Sequence, residues 1–221
     1  MKAYARFIKK DDIVYRINTI LQFGDSWNHI GNIVLANPGS SNIISEISDD
    51  IDIELSKFFK KLKKEYSREY WFECKSDPTM KQVKKIFNGW YVDDIFALNG
   101  TVQLFNSFNV RNPKLDEAII SVKYDDSLLF SEGIEKYFNE KPTYFGFSRA
   151  VINNKTLNKR IKNIFYNSSD KIRALYKKNF ENNSFYHPMY VNRSYNIDFF
   201  KDYKNEVLIP FKDLVKNEIK V

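Results

Sequence analysis

Three short polar segments carry side chains that could bind a ligand and help to cleave it. They are the Asn-Pro-Gly-Ser segment at 37–40, Asn106, and the His-Pro pair at 187–188. An amide provides both a hydrogen-bond donor and an acceptor, and a neutral imidazole can donate to developing negative charge. This combination suits recognition of a polar ring and stabilisation of a leaving group.

Each segment also has an ordinary structural interpretation. Asn-Pro-Gly is common in turns, because proline fixes φ and glycine accepts unusual backbone angles. A single histidine is more often a packed or surface residue than a catalyst. An asparagine at a strand end can simply satisfy local hydrogen bonds. The placement of the three segments in the fold therefore decides between turns and a site.

Short apolar runs that alternate with amphipathic patterns must position these segments. The sequence predicts strands at 13–23, 32–36, 100–109, 143–147 and 184–187. It predicts helices at 51–66, 78–89, 127–138, 157–165, 172–180 and 211–219. Asp77 is expected to cap the second helix, with Pro78 in its first turn.

This alternation predicts an α/β fold, namely a three-layer α/β/α sandwich with a short, largely parallel central sheet. In such sheets, ligands bind outside the carboxyl ends of the strands. All three polar segments lie at the ends of predicted strands, so we expect them to meet at one edge. Their convergence carries more weight than any single motif.

The composition favours one domain spanning residues 1–221. Hydrophobic residues make up 43% of the chain, which is enough for a core, and charged residues are spread along it. The net charge is +7 and the pI is about 9.2. This balance favours a polyanionic partner, although a solvated lysine-rich surface would give the same numbers.

Residue counts argue against several classes of protein. Cys74 is the one cysteine and there are two histidines, which leaves no disulfide framework and no ligand set for a closed zinc site or a zinc deaminase. Asp49, Asp50 and Asp52 are better explained as a helix start than as metal ligands. We therefore expect no metal and no cofactor.

The sequence also predicts no association with a membrane. No apolar run approaches the ~20 residues of a membrane-spanning helix. The N-terminal residues are basic but lack the apolar core of a secretory signal. A cytoplasmic location is expected.

The polar segments resemble motifs of the uracil-DNA glycosylase superfamily. Segment 35–40 is similar to its first motif, in the form found in the mismatch-specific branch, where an Asn-Pro-Gly turn follows a strand. Segment 100–111 resembles the strand that ends in a base-reading asparagine, with a shift of one residue. Segment 187–191 resembles the third motif, a His-Pro turn that leads into the loop entering the DNA helix.

The chain also resembles an uncharacterised bacterial and phage family, the domain of unknown function numbered 1643. The shared segments are 37–40, 77–79, 102–105 and 187–190. They occur in order through most of the chain. Each is short, so their order and their placement at strand ends give the combination its specificity.

The glycosylase resemblance implies that the protein flips a modified pyrimidine out of double-stranded DNA and hydrolyses its N-glycosidic bond. Asn37 would position the attacking water and His187 would stabilise the departing base. The implied substrate-binding residues are Pro38, Gly39, Ser40 and Asn106. The implied DNA-binding residues are Met189, Tyr190, Val191 and Arg193, of which the first three would fill the space that the base leaves.

The resemblance to bacterial and phage sequences suggests that the protein removes modified cytosines from phage DNA, in antiviral defence, and a monomer is expected. The most efficient uracil-removing branch has an acidic residue and a Tyr-His pair in the first motif, whereas this chain has Asn37 and Ser40-Ser41, so strict uracil specificity is not expected. The aromatic ring that stacks on the base is left open among Tyr70, Trp71, Phe72 and Phe108. Two other functions stay open: a non-catalytic nucleic-acid-binding module, and an enzyme acting on free nucleotides or nucleosides.

Overall fold

The computed structural model describes residues 1–177, 180–181, 185–195 and 200–219. Within these ranges, one sheet contains seven strands: β1 (Lys2–Lys10), β2 (Ile13–Phe23), β3 (His29–Leu35), β4 (Ile43–Glu46), β5 (Trp71–Cys74), β6 (Gly100–Asn106) and β7 (Thr143–Phe145). The α-helices of the described residues are α1 (Asp49–Lys61), α2 (Pro78–Phe87), α3 (Leu115–Ile120), α4 (Arg149–Asn153), α5 (Lys155–Asn167), α6 (Asp170–Arg173), α7 (Pro188–Ser194), α8 (Lys201–Tyr203) and α9 (Ile209–Ile219). In this part of the chain, no helix has both the length and the apolar character that crossing a membrane requires.

The sheet is mixed, with the strand order β4-β5-β1-β2-β6-β3-β7. Its parallel part is β6-β3-β7. The pairs β4–β5, β5–β1, β1–β2 and β2–β6 are antiparallel. The prediction of an α/β fold is confirmed, whereas the prediction of a largely parallel sheet is wrong.

The N-terminal hairpin is the physical reason for this difference. Only Asp11 and Asp12 separate β1 from β2, and Asp11 has a φ of 53°. A two-residue connection can join only antiparallel strands, because a parallel pair needs a crossover of a dozen or more residues. Strand β2 of this hairpin pairs with β6, so antiparallel strands are added to the sheet beside the parallel ones.

Helices cover both faces of the sheet. Adjacent side chains on a strand point to opposite faces. In β7, Tyr144 contacts Phe211 of α9, with ring centroids 5.6 Å apart, whereas Phe145 contacts Phe165 of α5 at 5.1 Å. Near the other end of the sheet, α1 closes a separate apolar cluster that includes Tyr4 of β1 and Ile20 of β2.

Two of the predicted helices begin at polar caps. Ser48 accepts a hydrogen bond from the Ile51 amide at the start of α1. Asp77 accepts one from the Met80 amide (2.9 Å) at the start of α2, with Pro78 in the first turn, as predicted. Each cap satisfies an amide that the helix itself leaves without a partner.

Three predicted elements differ from the structure. Segment 127–138 contains turns and a short 3-10 helix (Ile134–Tyr137), because the Asp126 carboxylate accepts from the Leu128 amide (2.8 Å) and Gly133 takes a φ of 61°. The helix predicted at 172–180 is reduced to α6, and residues 178–179 lie outside the described ranges. Residues 185–187 form no strand, and residue 184 of that prediction is also outside the described ranges.

Candidate active site

The carboxyl ends of β3 and β6 bring the first two polar segments together. The two strands are parallel and adjacent, with Leu35 paired to Asn106. The Ser107 amide donates to the Leu35 carbonyl (2.8 Å), so the chain leaving β6 lies directly beside the chain leaving β3. The predicted meeting of these segments at one sheet edge is confirmed.

The Asn37 side chain ties the two loops to each other. Its Nδ2 donates to the carbonyls of Pro38 (3.0 Å), Val110 (3.3 Å) and Asn112 (3.0 Å). Among the described residues, nothing donates a hydrogen bond to its Oδ1. The amide nitrogen therefore has a structural role, and the oxygen is the atom that can accept from a ligand or a water.

A cavity of about 220 Å³ lies beside these loops. It is lined by Arg16, Leu35, Ala36, Asn37, Gly39, Asp77, Thr79, Met80, Leu104, Pro113, Leu115, Ser148, His187 and Met189. Four residues predicted for the site, Asn37, Gly39, His187 and Met189, thus share one cavity. Its small size suits a single ring or a group of similar size.

His187 caps α7 with one ring nitrogen and keeps the other as a donor. Its Nδ1 accepts from the Met189 amide (3.3 Å), so the proton of the neutral ring is on Nε2. Burial, together with the smaller effect of the charge of Arg193, lowers the pKa of His187 to about 4. At neutral pH, His187 is therefore an uncharged hydrogen-bond donor at the cavity.

Gly146 lets the His-Pro turn pack against the end of β7. A Cβ at this position would lie 2.9 Å from Leu35 Cδ2, 3.1 Å from Pro188 Cδ and 3.2 Å from Tyr144 Cε1. Such contacts are closer than van der Waals packing allows, so a larger residue would move the turn that carries His187.

Gly146→Ala should therefore lower the free energy of unfolding by about 1–3 kcal/mol, as overpacking of a core does. Urea denaturation measures this loss. Gly133→Asn is the control, because a Cβ at Gly133 would make only ordinary van der Waals contacts with Lys136 and asparagine tolerates the positive φ. Equal stability of Gly146→Ala and the wild-type protein would show that the turn does not depend on this close approach.

The other predicted site residues do not line this cavity. Pro38 and Asn106 are buried, Ser40 and Arg193 are exposed, and Tyr190 lines an adjoining cleft. Val191 is fully buried in the core, so it is not available to fill the space left by a flipped base. Asn106 has a buried Oδ1 without a partner among the described residues, but the predicted contact with a base is not available at this cavity.

The adjoining cleft supplies aromatic rings. It has a volume of about 230 Å³ and shares Ser148 and His187 with the first cavity. Its remaining lining residues are Phe147, Arg149, Phe185, Tyr186 and Tyr190. The stacking candidates considered above, Tyr70, Trp71, Phe72 and Phe108, line neither space.

Two charged residues of the cavity were not predicted as site residues. Arg16 of β2 has only 2% of its surface exposed, and its Nη1 lies 3.8 Å from Oδ2 of Asp77. Asp77 was predicted only as a helix cap. The signal available in the sequence was an arginine within a largely apolar strand, where a buried charge requires a partner.

Lowered histidine pKa values predict loss of stability in acid. Burial lowers the pKa of His29, as well as that of His187, to about 4. Each histidine binds a proton more readily in the unfolded chain, where its pKa is near 6.5. Stability is therefore complete above pH 6.5 and falls as the pH is lowered towards 4.

For each of these histidines, unfolding should take up about half a proton at pH 6.5, rising to about 0.9 of a proton at pH 5. Urea denaturation at several pH values measures this uptake. His187→Asn and His29→Gln should each remove the share of one histidine from it. An unchanged uptake in either variant would contradict the lowered pKa of that histidine.

The described residues contain no group of three or more His, Cys, Asp or Glu side chains placed to hold a metal ion. Asp49, Asp50 and Asp52 lie in the first turn of α1, as expected for a helix start.

Comparison of the chain with protein-family models, with curated proteins and with solved structures yields no match. Functional interpretation therefore depends on the cavity itself.

Proposed function

We propose that the protein is a DNA glycosylase-like enzyme that hydrolyses the N-glycosidic bond of a flipped, modified pyrimidine and leaves an abasic site. The observation that carries this proposal is the shared cavity of Asn37 and His187 at the carboxyl ends of the parallel strands. A three-layer arrangement around these strands is part of the proposal. The overall positive charge supports DNA as the partner.

The proposed chemistry breaks the bond between C1′ of the sugar and N1 of the base. The bonding electron pair leaves with the base, and the sugar becomes oxocarbenium-like, as in other glycoside cleavages. His187 donates a hydrogen bond from Nε2 to the negative charge that develops on the base. The oxygen of a water then forms a bond to C1′, and its released proton neutralises the departed base.

Asn37 would act on this water through its oxygen. Because Nδ2 is occupied by three backbone carbonyls, Oδ1 is the atom that can accept a hydrogen bond from the water. An amide does not deprotonate water efficiently, so this role is orientation. The proposal therefore predicts a slow enzyme or a substrate whose base leaves readily.

Incubation with duplex DNA containing unmodified cytosine, uracil or phage-type modified cytosines tests the proposal. Alkaline cleavage of the products reveals abasic sites. Strand breaks at one of the modified positions would support the proposed reaction. Intact strands on all substrates, with DNA binding retained, would exclude it.

One observation favours a second function, a nucleic-acid-binding module without catalysis. The Asn37 amide nitrogen is fully used in joining two loops, which is a sufficient structural reason for this residue. Such a module would bind DNA with a salt-dependent affinity and produce no abasic sites on the same substrates. An enzyme acting on free nucleosides, in contrast, would release a base from nucleosides without DNA.

A further inference from the structure

Arg16 is a buried cation whose hydrogen-bonding capacity is unused. Its side chain lines the cavity, has 2% of its surface exposed and makes no hydrogen bond to any residue in the described ranges. Burial of a charge is costly unless it is both paired and hydrogen-bonded, and the hydrogen bonds of Arg16 are missing. Because Arg16 lines the cavity, a molecule bound there is the candidate acceptor for its hydrogen bonds.

Asp77 supplies the complementary group at the same place. Its Oδ1 is used by the Met80 amide, whereas its Oδ2 makes no hydrogen bond to the described residues and lies 3.8 Å from Arg16 Nη1. This separation is too long for a direct hydrogen bond. A Cβ on Gly39 would lie 3.2 Å from Oδ2, so glycine keeps this oxygen accessible from the loop of Asn37.

Arg160 shows how a buried arginine is normally paired in this protein. It is 8% exposed, and its guanidinium donates to Glu132 (2.9 Å) and to the Ser131 carbonyl. Arg16 has neither kind of contact. The contrast indicates that Asp77, at 3.8 Å, offsets the charge of Arg16 but leaves its hydrogen-bonding capacity unused.

We infer that Arg16 and Asp77 together bind the hydrogen-bonding edge of a pyrimidine base. Arg16 donates to a ring carbonyl or ring nitrogen, and Asp77 Oδ2 accepts from the neighbouring N–H. Cytosine and uracil both present an acceptor beside a donor on this edge. The inference rests on the proposed function for the identity of the ligand, and it assigns base recognition to this pair instead of Asn106.

An inorganic anion is the competing occupant. Phosphate would satisfy Arg16, but its oxygens would face the carboxylate of Asp77, and like charges at this distance repel. A base satisfies both residues, because it offers an acceptor to one and a donor to the other. Direct binding of free bases and of phosphate therefore separates the two.

Titration of the full-length protein with cytosine, uracil and inorganic phosphate, followed by NMR or calorimetry, measures this binding without any cleavage. We expect one of the two bases to bind more tightly than phosphate. Arg16→Met should weaken base binding by roughly tenfold or more, since a paired base contact is lost. Arg160→Met is the matched control and should bind the base as the wild-type protein does.

Asp77→Asn provides a second variant, which keeps the cap of α2. Asparagine is as good a helix cap as aspartate. Capping requires its oxygen to face the Met80 amide, which turns its NH₂ towards the site of Oδ2. A donor then faces the N–H of the base, so base binding should again fall roughly tenfold or more.

The outcomes are distinguishable from those of the proposed reaction. Tighter binding of phosphate than of either base, no base binding, or undiminished binding in Asp77→Asn would overturn the inference. If Arg16→Met does not fold, Asp77→Asn decides alone. Base binding that depends on both residues, without abasic sites on any DNA, would support the inference and reject catalysis. If Asp77→Asn makes abasic sites as well as the wild-type protein does, the proposed reaction is supported and the role of Asp77 in base recognition is rejected.

Discussion

Asn37→Asp should destabilise the protein and abolish base removal, even though a carboxylate activates water better than an amide does. The Asn37 Nδ2 donates to three backbone carbonyls, and a carboxylate in its place has no hydrogen to donate. Its negative charge would face the same carbonyl oxygens. We expect the free energy of unfolding to fall by about 2–4 kcal/mol, compared with about 1–3 kcal/mol for Asn37→Ala.

Urea denaturation of both variants, together with the abasic-site assay, measures these effects. Asn163→Asp is the control, because it makes the same chemical change at an exposed position of α5 and should alter stability by less than about 0.5 kcal/mol. Faster base removal by Asn37→Asp than by the wild-type protein would show that residue 37 acts on water as a base, and that its loop contacts are dispensable.

His187→Ala should lower the rate of base removal by roughly 100- to 1,000-fold, the usual effect of losing one donor to a developing anion. It should also cost about 1 kcal/mol of stability, because Nδ1 of His187 caps α7. Since the pKa of His187 is lowered to about 4, its ring stays uncharged from about pH 5 upwards, with Nε2 as the donor. The activity should therefore show no loss near pH 6.5 attributable to this histidine.

His187→Asn separates the two roles of this residue. Asparagine restores the cap and the stability, but its short amide does not reach the position of Nε2, so the rate should stay low. Ser48→Ala removes a cap from α1, far from the cavity, and should lower stability while base removal continues. Full activity of His187→Asn would mean that the imidazole contributes only the cap.

The elements that sequence patterns predicted well are those specified by local contacts. α2 was predicted from Asp77 and Pro78 at its start and from its apolar spacing, and α9 from its spacing alone. β1 was missed because its lysines at both ends resemble a charged terminus. The antiparallel pairing of β2 with β6 joins residues about 80 positions apart, and no local pattern specifies such a pairing.

The sequence predicts part of the site, namely the polar residues that follow apolar runs. Asn37 follows from the position of a polar residue after an apolar run. His187 was expected at the end of a strand that does not form, and it reaches the same cavity as the cap of α7. Arg16 could not be placed, because its approach to Asp77 depends on where the hairpin attaches to the sheet. The sequence does not show which of Met189 and Val191 reaches the cavity, because only the packing of α7 decides this. In the structure Met189 lines the cavity and Val191 is buried.

The cavity has one further consequence, which comes from the distance along the chain between its walls. Its lining begins at Arg16 and ends at Met189, so it exists only when the N-terminal hairpin and α7 have both docked. By mass action, a compound that occupies it stabilises the whole folded chain, by about 2.7 kcal/mol at a concentration 100 times its dissociation constant. A thermal-shift screen of nucleobases can therefore identify the ligand before any reaction is known.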